Sequence, residues 1–297
     1  AEGVSSGPCL ASLFCVWEMN TGERPTRLLL EYRLWKDADA LQLRITGDWQ
    51  GRGCLLKMEN DIAGGLSTVD VDMPGGVTSR PAMPPGRPAS TANATTEDGL
   101  TPLKQDKDPD QVMVQWVDGR LADGSGGVAF LNDGRHGYDA RPEGIGLSLL
   151  RGPRIRAQEF TGLGPVACQF DIVPHDGDWR DAGIDSRAEI LHHPLLPLPG
   201  RRRPPQSLLR LSGDPVTVLA CKQASFGPWL VVRLHERHHR KATVRFQFNV
   251  PVTDVRTGTA LEDCGEAFSP VQGNEYVDTL RPDEIRTWLF GLDSFLG

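Results

Sequence analysis

Several features that would define a protein class are missing from this 297-residue sequence. It has no apolar run near the roughly 18 residues that a membrane-spanning helix needs. It has no Cys-x-x-Cys pair, which argues against zinc-ribbon and thioredoxin-like sites, and no Gly-x-Ser-x-Gly nucleophile elbow. Positively charged residues are also in the minority, because the sequence has 32 Lys and Arg residues and 39 Asp and Glu residues, for a net charge of −7. We therefore expect no nucleic-acid partner and no membrane partner.

The six cysteines have no paired spacing and are predicted to be free, mostly buried thiols. They stand at positions 9, 15, 54, 168, 221 and 264. Free thiols are typical of a reducing compartment, so the predicted location is cytoplasmic. The first residues, Ala1–Gly3, carry no initiator methionine and none of the basic and apolar regions of a secretory signal. This start is compatible with a piece cut from a longer polypeptide.

What is present is a two-residue hydrophobic period. Leu41, Leu43 and Ile45 alternate with polar residues, which is the pattern of a strand with one buried face. About a dozen such runs follow one another between Gly, Pro, Asn and Asp clusters, and only Arg180–Leu191 has the pattern of a short helix. Strands without intervening helices predict antiparallel sheets packed as a sandwich, and hence an all-β protein.

Two proline-rich stretches interrupt the strands. Arg80–Asp110 combines six prolines with Ser, Thr, Asn and charged residues, and it predicts a long exposed loop. Pro194–Pro205 has five prolines around three arginines and indicates a domain boundary. The sequence therefore predicts a large β domain over residues 1–200, which includes the loop at 80–110, and a smaller β domain over residues 206–297.

The stretch His235–His239 matches the His-Glu-x-x-His motif of zinc hydrolases. On a helix, this spacing brings two imidazoles to one zinc ion. Here the motif stands between the strand-like runs Trp229–Leu234 and Ala242–Val250, so we interpret it as a solvated basic turn at the tip of a β-hairpin. We also expect Arg233 and Glu236 to form a structural ion pair. A zinc hydrolase remains an alternative, and whether the stretch is helical distinguishes the two interpretations.

Seven blocks stand in order along the sequence and span about residues 7 to 290. They are Gly47–Gln50 with Leu55–Lys57, Trp116–Asp118, Gly127–Asp139, Leu147–Pro153, Pro174–Trp179 with Ala188 and Glu189, Val232–Glu236, and Glu284–Thr287. In register, these blocks resemble the C-terminal half of the α-mannosidases of glycoside hydrolase family 38. The resemblance implies a galactose-mutarotase-like supersandwich followed by a smaller antiparallel β-sandwich.

The resemblance further implies that the parent protein is a zinc-dependent, retaining α-mannosidase acting on terminal α-mannosides. In this family the zinc ligands and the aspartate nucleophile lie on an N-terminal domain, and this sequence has no positions that match them. The chain is therefore expected to hold no catalytic residue, no metal and no cofactor, to support the catalytic cleft, and to be inactive alone. Its expected partners are its own N-terminal catalytic domain and an α-mannoside carbohydrate, with homo-oligomers left open.

One turn of the resembling region is a candidate substrate contact. In some relatives, a basic residue in the turn that corresponds to residues 132–139 reaches the mannose pocket. By this resemblance Arg135 is the candidate for carbohydrate binding, with Asp133 positioning it. The alternative is a β-hairpin turn that is shaped by Asn132, Gly134 and Gly137 and makes no sugar contact.

A second function remains open, namely a stand-alone carbohydrate-binding or scaffold module. Such a module would stack sugars on aromatic rings exposed along one face of the sandwich. Tryptophans inside a β-sandwich are more often part of the core, so their exposure distinguishes the two functions. The seven candidates are Trp17, Trp35, Trp49, Trp116, Trp179, Trp229 and Trp288.

Overall fold

The computed structural model describes residues 2–20, 24–82, 111–152, 162–197, 207–225, 227–271 and 273–292. The chain divides into two compact units, Ala1–Pro194 and Leu195–Gly297. Most of the predicted loop over Arg80–Asp110 lies outside the described residues, as does the part of Pro194–Pro205 from residue 198 onward.

The first unit is built from antiparallel strands and one helix. Its strands are β1 (Glu2–Ser6), β2 (Leu10–Asn20), β3 (Pro25–Trp35), β4 (Leu41–Trp49), β5 (Leu55–Asp61), β6 (Leu66–Met73), β7 (Gly76–Pro81), β8 (Gln111–Val112), β9 (Trp116–Leu121), β10 (Gly126–Asn132), β11 (Gly137–Arg141), β12 (Gly144–Arg151) and β13 (Gly164–Asp176), and its helix is α1 (Ile184–His192). They form a nine-stranded sheet in the order β1-β2-β3-β4-β13-β10-β9-β6-β7 and a four-stranded sheet in the order β5-β12-β11-β8.

The two sheets of the first unit share one apolar core. Leu43 and Phe170 of the large sheet are fully buried in the same cluster as Tyr138 and Leu147 of the small sheet. A second cluster covers the other face of β9 and β10, where Trp116 packs with Trp179 and α1. Because both of their faces are covered, β9 and β10 are buried almost throughout and show little alternation.

The helix α1 begins later than the sequence predicts. The helical pattern over Arg180–Leu191 predicts a start at Arg180, whereas α1 runs from Ile184 to His192. Gly183, with φ 64°, stands in the left-handed region immediately before it and ends a series of turns. The apolar sequence pattern begins before the helix because Trp179, at the start of these turns, enters the same buried cluster as Ile184, the first residue of α1.

The second unit is a smaller sandwich. Its strands are β14 (Leu209–Gly213), β15 (Thr217–Gln223), β16 (Trp229–His235), β17 (Ala242–Phe248), β18 (Val252–Gly258), β19 (Cys264–Pro270), β20 (Glu275–Leu280) and β21 (Ile285–Leu292). They form a three-stranded sheet, β14-β17-β20, and a five-stranded sheet, β15-β16-β21-β18-β19. Alternate residues of β17 are buried, and Phe246 packs against Trp288 with ring centroids 5.0 Å apart. The prediction of an all-β protein with packed sheets is confirmed.

The cysteines are less buried than predicted. The five whose side chains are described are free thiols, but only Cys168 is buried. Cys9 lies in the turn before β2 and Cys221 lies on the edge strand β15, and both are exposed. The prediction of mostly buried thiols is therefore wrong. Among the described residues no helix has both the length and the apolar character needed to cross a bilayer.

Candidate functional site

The four residues 133–136 that join β10 to β11 cross from one sheet of the first unit to the other. β10 lies in the nine-stranded sheet between β9 and β13, and β11 lies in the four-stranded sheet beside β12 and β8. The alternative interpretation of this stretch as a β-hairpin turn is therefore wrong. Alternation along a strand reports which residues are buried but does not identify the partner strand, so it cannot separate a hairpin from a crossover.

Asn132 fixes the start of this crossover. Its side chain is fully buried, its Nδ2 donates to the Val114 carbonyl at 3.2 Å, and its Oδ1 accepts the Gly134 N–H at 2.7 Å. Gly134 has φ 118°, a conformation that a residue with a Cβ rarely adopts. The amide of Asn132 and the freedom of Gly134 therefore set the direction in which the next side chains leave the sheet.

Asp133 ties the crossover to the neighbouring strand β13. Its Oδ2 accepts the backbone N–H of Gln169 at 2.7 Å. Although the residue lies at the surface, burial of the carboxyl group raises the pKa of Asp133, and the Gln169 N–H, Arg135 and His192 act against this rise. Two basic side chains therefore stabilise the charged carboxylate electrostatically, Arg135 in the crossover and His192 at the end of α1.

Arg135 is half-buried and lies next to the buried thiol of Cys168. Burial raises the pKa of Cys168 to about 11, an effect that Arg135 opposes and Asp133 reinforces. The structure thus places the two predicted site residues, Asp133 and Arg135, in one cluster. A guanidinium donor beside a carboxylate acceptor is the combination that can hydrogen-bond to hydroxyl groups.

His136 fastens the far end of the crossover. Its Nδ1 lies 2.9 Å from the Val114 carbonyl, and its own carbonyl accepts the Met113 N–H at 2.9 Å. With the contacts of Asn132 and Asp133, the backbone of the crossover is bound on both sides. Arg135 is therefore presented from a rigid segment rather than from a free loop.

Polar residues of β13 that the sequence reasoning did not single out lie beside Asp133. Gln169 and Asp171 stand two residues apart on one face of the strand, and Asp171 Oδ1 accepts Gln169 Nε2 at 3.2 Å and Gln42 Nε2 at 3.4 Å. Burial raises the pKa of Asp171. The alternation of residues along β13 could have identified this polar face. It could not have shown what lies beside the face, because β13 pairs with β4 and β10 and this pairing joins residues far apart in sequence.

The His-Glu-x-x-His stretch in the second unit is also a crossover. It begins at His235, the last residue of β16 in the five-stranded sheet, and leads towards β17 of the three-stranded sheet without forming a helix. The predicted hairpin is therefore wrong, and the predicted solvation is wrong as well. His235, Glu236, Arg237 and His238 are all buried, and only the end of the stretch, from His239, is exposed.

Glu236 is a fully buried carboxylate that binds backbone N–H groups. Its Oε1 accepts the N–H of His238 at 2.7 Å, and its Oε2 accepts those of Asp283 at 3.0 Å and Arg240 at 3.2 Å. The predicted ion pair with Arg233 is not formed. Arg233 instead donates to Thr287 Oγ1 and to the Ala260 carbonyl.

Metal ligation has no support within the described ranges. No group of three or more His, Cys, Asp or Glu side chains there is placed to hold a metal ion. A helix is also missing from residues 235–239, where a zinc-binding motif of this type requires one. The stretch therefore acts through Glu236 as a hydrogen-bonded connection between sheets.

The tryptophans do not line an exposed face. Trp49, Trp116, Trp179 and Trp288 are fully buried, and of the seven tryptophans only Trp35 has an exposed side chain. A series of stacking rings, which a binding module of the expected kind would need, is therefore not formed by the described tryptophans.

Comparison with known families gives two matches in the order of the two units. The family described as "Glycosyl hydrolases family 38 C-terminal domain" matches residues 1–156. The family described as "Glycosyl hydrolases family 38 C-terminal beta sandwich domain" matches residues 215–288.

Curated relatives and a solved structure agree with these matches. The chain is similar to human "Alpha-mannosidase 2C1", with 33% identity over 155 residues that cover 50% of this chain and 14% of the relative. It is similar to "Alpha-mannosidase G" of Dictyostelium discoideum, with 24% identity over 185 residues that cover 59% of this chain and 17% of the relative. The crystal structure of an alpha-mannosidase from Enterococcus faecalis superposes on 98% of this chain and 35% of its own, with 17% identity and a TM-score of 0.73. This last likeness shows a shared fold, and the chain spans only a small part of the curated relatives.

Proposed function

This chain belongs to glycoside hydrolase family 38 and corresponds to the C-terminal region of its enzymes, and from that premise we propose that it is the non-catalytic β region of a zinc-dependent, retaining α-mannosidase. The observation that carries the proposal is the pair of C-terminal family matches, over residues 1–156 and 215–288, in one chain. The names of the curated relatives support the activity, which would be hydrolysis of terminal α-mannosides.

The chemistry is proposed to take place outside this chain. A retaining glycosidase uses two carboxyl groups about 5–5.5 Å apart, one of which forms a covalent glycosyl intermediate. We place the nucleophile and the zinc ion, which would act as a Lewis acid and as a template for the sugar, in the catalytic domain of the same enzyme. This chain would then support the cleft of that domain.

A direct contribution to carbohydrate binding is proposed for Arg135, with Asp133 as its positioning residue. The bonds of Asn132, Asp133 and His136 to the strands around the crossover support this role, because they restrict where the guanidinium can point. A rigid donor loses little conformational entropy when it binds a sugar hydroxyl.

The predicted domain limits and cellular location belong to the same proposal. We assign the supersandwich to residues 1–200 and the small sandwich to residues 206–297. The free thiols of Cys9, Cys15, Cys54, Cys168 and Cys221 support a reducing compartment, and hence the cytoplasm.

The experiment that tests this function compares the 297-residue chain with the full-length product of its gene. Both are assayed on an aryl α-mannoside with and without added zinc. We expect zinc-dependent hydrolysis from the full-length product and none from this chain. Activity in neither protein would overturn the mannosidase assignment in favour of a carbohydrate-binding module, and activity in this chain alone would overturn its non-catalytic role.

A further inference from the structure

The face of β3 that enters the core of the first unit continues beyond the core into solvent. Leu28, Leu30, Tyr32 and Leu34 lie at alternate positions and therefore share one face of the strand. Leu28 and Leu30 are fully buried, whereas Leu34 is 50% exposed. The apolar pattern thus extends past the point at which the described structure covers it.

Neighbouring strands extend this apolar face into a groove of about 390 Å³. The register of the sheet places Val4 of β1 opposite Leu13 of β2, and Leu13 opposite Tyr32 of β3. Val4 is 78% exposed and Leu13 is 45% exposed. We call this surface the β1–β4 groove, and its lining is Val4, Ala11, Ser12, Leu13, Tyr32, Leu34 and Leu41.

The opposite face of the same strands carries a charged pair behind the groove. Arg33 lies beside Glu31 with an N–O distance of 2.6 Å, and its register partner on β4 is Gln42. The Arg33 guanidinium lowers the pKa of Glu31. Contiguous exposed apolar patches such as the one on the other face mark interaction sites.

We propose that the β1–β4 groove is the docking site for an apolar segment of the catalytic part of the mannosidase, an inference that rests on the proposed function. The length of polypeptide that the family carries outside this fold supports this occupant. The fold of this chain takes up 35% of the solved alpha-mannosidase, and the chain takes up 14% of the human relative. A lining of five aliphatic residues, one tyrosine and one serine selects mainly aliphatic or aromatic side chains in the segment that enters it.

Substitution of one groove residue in two proteins tests the proposal. Leu13→Ser is introduced into this chain and into the full-length gene product, with Val277→Ser as the matched control, since Val277 is also 45% exposed and lies in the second unit. In this chain, Leu13→Ser should leave Tm within about 2 °C and reduce binding of the apolar dye ANS. In the full-length product, it should lower Tm by about 4 °C or more and lower the temperature at which α-mannosidase activity is lost. The control should change neither property in either protein.

Three outcomes would overturn the docking proposal. The first is an equal Tm for wild type and Leu13→Ser in the full-length product. The second is unchanged ANS binding in this chain, which would mean that the groove is not free there. The third is a dimer of this chain, detected by light scattering, that Leu13→Ser dissociates, since the occupant would then be a second copy. A full-length product without any α-mannosidase activity would instead count against the proposed function.

Discussion

His175 and Asp118 form a buried pair, with Nε2 of the imidazole 2.9 Å from Oδ1 of the carboxylate. His175 lies on β13 and Asp118 on β9, and Gly127 of the strand between them, β10, lies against both side chains. The pair joins two of the blocks that resemble family 38. A second contact joins the same blocks, because the rings of Trp116 and Trp179 lie 4.9 Å apart.

The pair predicts that stability falls as the pH rises above the ordinary histidine pKa. Burial lowers the pKa of His175, but the Asp118 carboxylate and the Asp176 carbonyl raise it, so that the net pKa lies above its ordinary value. A group with a raised folded-state pKa contributes stability that is fully present below its unfolded pKa and is lost as the pH rises through its folded pKa. We therefore expect the free energy of unfolding, measured with urea, to fall as the pH is raised from about 6.5, the unfolded histidine value.

The variant His175→Gln should lose this slope, and His193→Gln, at an exposed histidine, should keep it. The titration of the buried His235 does not interfere with this measurement of stability. Burial and the nearby Arg237 lower the pKa of His235, so its effect on stability lies below pH 6.5 and has the opposite sign. An equal slope in wild type and His175→Gln would show that the pair does not set this pH dependence.

Gly127 is predicted to be irreplaceable for reasons of space. A Cβ at this position would lie 2.8 Å from the His175 ring and 2.9 Å from Asp118 Oδ1, closer than real Cβ contacts come. We expect Gly127→Ala to lower the free energy of unfolding by about 1–3 kcal/mol, because the pair must shift within a packed interior.

A matched control for this glycine is Gly3→Ala in β1, where a Cβ meets no atom within 4 Å. It should change stability by no more than about 0.5 kcal/mol. Equal urea midpoints for the two variants would mean that the His175–Asp118 pair can move aside at no cost.

Glu236 is predicted to stabilise the crossover between β16 and β17. In Glu236→Gln one carboxylate oxygen becomes an amide NH₂, which would face backbone N–H groups that need an acceptor. Loss of charged hydrogen bonds at a buried site should lower the free energy of unfolding by about 3 kcal/mol. Glu18→Gln, at an exposed glutamate paired with exposed Arg27, should be close to neutral.

Metal removal distinguishes this structural role from a zinc site. If Glu236 serves only the backbone, dialysis of the 297-residue chain against EDTA should leave its Tm unchanged, and added zinc should not raise it. A Tm that falls in EDTA and returns with zinc would restore the zinc interpretation of residues 235–239.

The local sequence pattern predicted where the strands of this protein lie better than it predicted which strands pair with each other. The alternation of Leu41, Leu43 and Ile45 predicted β4, because burial of one strand face depends on nearby residues. Two connections predicted as hairpins, after Asn132 and after His235, cross between sheets instead. Which sheet a strand joins depends on partners that are distant in sequence, and no local period contains that information.

The site shows the same limit. Asp133 and Arg135 are close in sequence, so their proximity could be predicted. The bond from Gln169 N–H to Asp133 joins residues 36 positions apart, and the Asp283 N–H reaches Glu236 across 47 positions. The burial of Glu236 was missed because polar residues next to a strand usually indicate a solvated turn.

Arg135 supplies the last prediction, which concerns substrate binding by the full-length enzyme. If its guanidinium hydrogen-bonds to the bound sugar equally in the ground state and the transition state, Arg135→Ala should raise KM for an aryl α-mannoside about tenfold and leave kcat within about twofold. Arg135→Lys, which keeps one charged donor, should recover part of the loss. Arg27→Ala, at an exposed arginine on β3, should leave both constants unchanged.

A purely structural role for Arg135 would give a different pattern. Arg135 lies beside Cys168 in the core and near Asp133, so its removal could loosen the crossover without any effect on sugar contact. In that case Arg135→Ala would lower Tm while KM stayed at the wild-type value below the melting range. Asp133→Asn separates the two roles further, because it keeps an oxygen acceptor for the Gln169 N–H but removes the charge beside Arg135. A raised KM with an unchanged Tm in this variant would identify Asp133 as a positioning residue for the guanidinium.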